Sequence, residues 1–227
     1  MARSHFSRRE DSQRRVGQNG VPDLLSQGLQ LSLDDFWERR SAAASPDSTP
    51  ETLQKLSHDP DWEVREVVAS NPRTPPAALT KLSGDPQLVV RRMVASNPNT
   101  PSATLSAMCV EAEKEAYAFA CRHTSPGTVQ TLASICSVAA QNRSCSPGLL
   151  DHLSRHSYTS VRQNVAAHPV CPPTVLSELS CDPDPYVRRQ VAIHPASPPE
   201  AIDRLCQDNH SAVLEALRSR RILLHLG

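Results

Sequence analysis

The chain repeats itself at a short, fixed period, and that constrains its fold more than any other feature. Residues 49–69 read TPETLQKLSHDPDWEVREVVA and are followed by Ser70-Asn71-Pro72. Residues 75–95 read PPAALTKLSGDPQLVVRRMVA, then Ser96-Asn97-Pro98, and residues 172–192 read PPTVLSELSCDPDPYVRRQVA, then Ile193-His194-Pro195. Anchored on the residue that opens its first helix, each unit starts at Pro50, Pro76, Ser102, Pro126, Pro147, Pro173 or Pro199, at spacings of 26, 26, 24, 21, 26 and 26. Three residues past the anchors stand Leu53, Leu79, Leu105, Val129, Leu150, Leu176 and Ile202; six past stand Leu56, Leu82, Met108, Leu132, Leu153, Leu179 and Leu205. Both columns are apolar throughout.

Within a unit, proline at the first helical turn loses no hydrogen bond, and the paired apolar residues make one stripe of a short helix. Asp59-Pro60, Asp85-Pro86 and Asp182-Pro183 read as N-cap and first residue of a second helix. Val64, Val67 and Val68, repeated as Val90, Met93 and Val94, line one face of it. Asn71-Pro72, Asn97-Pro98, His168-Pro169 and His194-Pro195 close it, with Asn expected in the left-handed conformation and proline forbidding continuation. Two-turn helices are unstable alone, so the units must stack and bury one another's faces. The expected fold is an all-α solenoid of about seven two-helix repeats.

The 20 prolines are therefore punctuation, while the eight aromatic residues are few for a compact enzyme core. Units of 26 residues are too short for ankyrin, TPR or HEAT repeats, and an LxxLxL strand with an Asn ladder is absent. Their NP–TP–LxxL–DP–VR–VA pattern resembles the leucine-rich repeat variant family. It is nearly intact in the units at Pro50, Pro76 and Pro173, less complete at Pro147, and the resemblance covers roughly residues 44–217. It implies a right-handed superhelix of alternating α- and 3₁₀-helices.

The expected organisation is a disordered basic arm over 1–20, a capping-helix region over 21–43, the repeats over 44–210 and a closing helix over 211–227. Ser32-Leu33-Asp34-Asp35 reads as a capping-box start, with Phe36 and Trp37 packing on the first repeat. Ile222-Leu223-Leu224 is apolar enough for the far cap. Units over 102–146 are degenerate: the DP–VR half is replaced by Cys109 to Cys121, and the fourth unit is short by about five residues.

Candidate chemistry is sparse. Arg65, Arg91, Arg162 and Arg188 follow the core valine in four units, with Arg92 and Arg189 beside two of them. The ladder can hold a partner's carboxylates or phosphates, or pair with Asp59, Asp85, Asp182 and Asp208 as structural cement; Arg92 and Arg189 point further outward. Some members of the resembled family carry an iron–sulfur module ahead of the repeats, but the first 108 residues here lack cysteine. The intervals between Cys109, Cys121, Cys136 and Cys145 fit neither ferredoxin nor zinc-ribbon spacing, so reduced structural thiols are expected. Cys145 and Cys171 share a column in adjacent units, beyond disulfide reach. His168 and His194 stand where other units have Asn, which reads as a cap. No nucleophile is placed with a base and an orienting acid.

Equal numbers of acidic and basic residues, 24 each, give nothing global to attract nucleic acid or an anionic membrane, and no run of apolar residues spans a bilayer. The resulting expectation is a non-catalytic, cytoplasmic scaffold without cofactor or metal that binds a protein partner. The alternatives are a nucleic-acid-binding solenoid using the arginine stripe and, behind it, an iron–sulfur or redox protein using the four central cysteines.

Overall fold

The computed structural model describes residues 35–121 and 126–225. The expected basic arm, Ser32 to Asp34 and the side chains of Cys121 and of Ile222 to Leu224 lie outside the described residues. Among the described residues every element is a helix: α1 (Phe36–Ala44), α2 (Pro50–Leu56), α3 (Trp62–Ser70), α4 (Pro76–Leu82), α5 (Leu88–Ser96), α6 (Ser102–Cys121), α7 (Pro126–Ala139), α8 (Pro147–Leu153), α9 (Thr159–Ala167), α10 (Pro173–Leu179), α11 (Pro185–Ile193), α12 (Pro199–Leu205) and α13 (Ser211–His225). Helices α1, α3, α5, α7, α9, α11 and α13 pack successively on one another in one layer, with α2, α4, α8, α10 and α12 beside them.

The apolar columns form the core between the layers. Leu53, Leu79, Leu105, Leu150 and Leu176 are fully buried, as are Val64, Val90, Val161 and Val187 in the second helices. Each such side chain contributes about 1.5–3 kcal/mol of burial. Proline opens each seven-residue helix as expected, with Thr49 and Ser146 accepting from the amides of Thr52 and Leu149. These helices are α over their seven residues; i→i+3 bonds appear in the turn that follows, as from Asp59 N to the Leu56 carbonyl.

Three local readings need correction. The second-helix N-caps are Asp61, Gln87 and Asp184, two residues beyond the DP aspartates. The Asp59 carboxylate instead accepts from the Asp61 amide at 2.9 Å, and Asp85 and Asp182 do likewise two residues on, closing a turn ahead of the helix. Asn71 and Asn97 are extended, at φ −69° and −70°, because the following proline disfavours helical backbone. Trp37 is 67% exposed and does not pack on the first repeat; α1 is held through buried Ala43 and through Arg39, which donates to Asp59 at 2.8 Å and also to Asp61.

The asparagines have another task. Asn71 Nδ2 donates to the carbonyls of Ala43 and Ser45, Asn97 to Ala69 and Asn71, and Asn142 to Ala95 and Asn97, all between 2.7 and 3.1 Å. His168 continues the series to Asn142 and His194 to His168, Nε2 to carbonyl at 3.1 and 2.9 Å. Each histidine's Nδ1 accepts an amide two residues on, so the ring proton sits on Nε2. This ladder passes from Asn97 straight to Asn142. Helices α6 and α7 therefore fill one place in the stack: the anchors at Ser102 and Pro126 belong to one enlarged unit, and the seven sequence units are six structural ones.

Candidate functional site

Arginine rungs link neighbouring units. Arg65 grips Asp85 with Nε and Nη2 at 2.6 and 3.2 Å, while its Nη1 donates to the Asp59 and Pro60 carbonyls. Arg162 grips Asp182 and Arg188 grips Asp208 in the same way, and Arg39 with Asp59 begins the series. In every case the acid lies 20 residues after the arginine. Arg65, Arg162 and Arg188 are held above, and Asp208 below, their usual pKa range by these hydrogen bonds. Arg91 departs, pairing with Glu115 of α6 at 2.7 and 2.8 Å, and its buried Nε lacks a hydrogen-bond partner. Arg65, Arg91, Arg162 and Arg188 are only 12–17% exposed, while Arg92 and Arg189 are exposed.

The enlarged unit breaks the rung series. Where the next arginine belongs, α7 carries Cys136; 20 residues on, in place of the aspartate, stands His156. His156 keeps one of the aspartate's bonds, since Nδ1 accepts from the Tyr158 amide at 3.1 Å. Its Nε2 therefore carries the proton and faces Cys136 and Glu113, the latter at 4.0 Å. Both residues line a cleft of about 730 Å³ bounded by Glu113 and Tyr117 of α6, Cys136 of α7, His152 of α8 and the turn from Arg155 to Tyr158. His152 Nε2 lies 3.0 and 3.1 Å from the two Glu113 oxygens, and Arg155 is engaged by Asp151 and Glu178.

Cys136 is fully buried against Cys109, its Sγ 3.9 Å from the Cys109 carbonyl. A hydrogen bond from the Cys109 thiol, and then His156, pull the Cys136 thiol below its ordinary pKa, and the same bond with burial pushes Cys109 up. The remaining described cysteines substitute for hydroxyls or sit on the surface. Cys145 and Cys171 stand where Thr74 and Thr100 bond core carbonyls, and burial pushes them to about 11 and about 12. Cys206 is the C-cap of α12, where Ser57 and Ser180 cap α2 and α10; Cys181 is exposed. The six described cysteines are free.

A family model described as leucine rich repeat variant matches residues 62–87, one complete period that runs from the start of α3 to the turn before α5. The chain also aligns with a solved structure described as a leucine-rich repeat variant with a novel repetitive protein structural motif, at TM-score 0.52 and 25% identity, over 82% of this chain and 66% of that one. Over residues 62–87 the chain carries a leucine-rich repeat variant unit, and its fold is similar to that of a leucine-rich repeat variant. No curated protein matches it. In this repeat protein the second helices, with the rungs and the asparagine ladder, are the regular scaffold, and the Cys136–His156 rung is its one inverted link among the described residues. Sequence reasoning grouped Cys136 with other cysteines and overlooked His156 and Glu113. The missed signal was the 45-residue offset from Arg91 to Cys136 and from Asn97 to Asn142. No described helix is long and apolar enough to cross a membrane.

Proposed function

We propose that this repeat protein is a non-catalytic, cytoplasmic scaffold that binds a protein partner through the layer of second helices. One observation carries the reading. That layer exposes Trp37, Trp62, Tyr186 and Ile193, from α1, α3 and α11, together with the guanidinium groups of Arg92 and Arg189. Trp, Tyr and Arg are the side chains that dominate binding energy at protein interfaces, and a monomer gains nothing by leaving them in water. The rung arginines Arg65, Arg91, Arg162 and Arg188 serve the scaffold; Arg92 and Arg189 serve the partner.

The test is retention of a partner from native lysate by wild type and by R92E/R189E. Loss of a specific protein in the variant, with unchanged circular dichroism, is the expected result. Equal retention by both proteins places the contact elsewhere. Co-purification of nucleic acid instead, with affinity falling steeply as salt rises, replaces the protein partner with the nucleic-acid reading.

A further inference from the structure

The Cys136–His156 rung differs from the others in charge as well as in residue type. Elsewhere a buried arginine neutralises a buried aspartate in the next unit. Here the arginine is gone, yet a third group, the Glu113 carboxylate of α6, has entered the same place. Arg155, which lines the cleft, is spent on Asp151 and Glu178, and Arg162 on Asp182 and the His156 and Ser157 carbonyls. The rung therefore gathers donor atoms and lacks its cation.

Those donors are a thiol sulfur, an imidazole nitrogen and a carboxylate oxygen, and one atom of each lies within 4.8 Å of the other two. They come from three separate segments: α6, α7 and the turn after α8. Cys136 is fully buried, the His156 side chain is 8% exposed, and Glu113, at 34%, faces the cleft. We propose that Glu113, Cys136 and His156 are the three protein ligands of a divalent transition-metal ion of the zinc class, with a fourth position open to the cleft. Sulfur and imidazole nitrogen exclude calcium and magnesium, which take oxygen ligands. Mixed S, N and O donors suit zinc, and three ligands with one open position is a geometry zinc adopts. Bonds of about 2.0–2.3 Å require the donor atoms to draw together slightly, which the half-buried Glu113 at the cleft can do.

The surroundings are those of a metal ligand set. His152 holds the Glu113 carboxylate at 3.0 Å, as outer-shell partners do, and the Cys136 Sγ lies 3.9 Å from the Cys109 carbonyl. Binding has a definite proton balance. Nε2 of His156 must give up its proton to become a ligand; that proton moves to Nδ1, the bond from the Tyr158 amide is released, and the Cys136 thiol loses its proton to solvent so that sulfur binds as thiolate. The dication then supplies the positive charge that arginine brings to the other rungs.

The experiment is titration of the chelator-treated full chain with Co²⁺, followed by Zn²⁺ competition. One equivalent of Co²⁺ is expected to produce a thiolate-to-cobalt charge-transfer band with the strong visible absorption of tetrahedral cobalt, and Zn²⁺ should erase both. The double variant C136R/H156D recreates the arginine–aspartate pair of the regular rungs; it should keep the helical circular dichroism and show no such band. C136S, smaller in its change, must also lose the charge-transfer band, and E113Q should weaken binding at least about tenfold. Absence of a thiolate band in wild type, or its persistence in C136S or in the double variant, overturns the proposal.

Discussion

A single column of residues shows how little side chain is needed to splice two units. Asn97 lends one amide to two carbonyls of the preceding unit and takes the Asn99 amide on its oxygen, so one side chain gives partners to three backbone groups. His168 and His194 reach one carbonyl each with Nε2–H and accept an amide on Nδ1, which is why histidine and asparagine interchange there. The cap reading was legible from that interchange; the bridging role was not, because it depends on a neighbour 26 residues away. Arg188 with Asp208 is the ionic counterpart. The folded-state pKa of Asp208 is lowered, so its contribution is present above the unfolded carboxylate value and lost as pH falls through the folded one. D208N should therefore cost about 1.5–3 kcal/mol at neutral pH. The difference from wild type should shrink as pH falls below the ordinary aspartate range, measured by denaturant unfolding at neutral and acidic pH; a pH-independent difference would mean that packing, and not charge, sets the loss.

At the scale of the element, the regular helices were legible because proline, leucine and valine recur in register, and each local preference agrees with the global stack. The enlarged unit was harder. Ser102 and Pro126 are sound helix starts and stand near the repeat spacing, so they counted as two units. What fuses them is the lost DP turn: without it α6 runs 20 residues and α7 runs 14, and the pair does the work of one short and one second helix. The same fusion removes an aspartate from beneath Arg91 and opens the cleft beside Cys136. Fewer inter-unit bonds and a cleft at its flank lower the local opening free energy. Amides over 109–145 are expected to exchange faster than those of α5 and α9, by hydrogen exchange followed by mass spectrometry. Uniform protection across the stack would refute this.

Across the whole molecule, stability is a sum over units and the interfaces between neighbours, and the ladder's route through the stack has a consequence for how the gene can be cut. Asn142 occupies the place that Asn97's successor would hold in a shorter chain, so everything from Ser102 to Ser146 is a closed detour that leaves and rejoins the stack at equivalent points. Excising residues 102–146 joins Thr100-Pro101 to Pro147-Gly148-Leu149-Leu150, the counterpart of Thr74-Pro75-Pro76-Ala77-Ala78-Leu79. It also sets Arg91 twenty positions ahead of residue 156. With H156D added, the shortened chain should fold as a five-unit stack with a complete rung at every junction and a cooperative thermal transition; without H156D, the same excision should melt lower. That outcome would make the segment an interchangeable cartridge, able to be lifted out once the single residue His156 of its neighbour is changed to match.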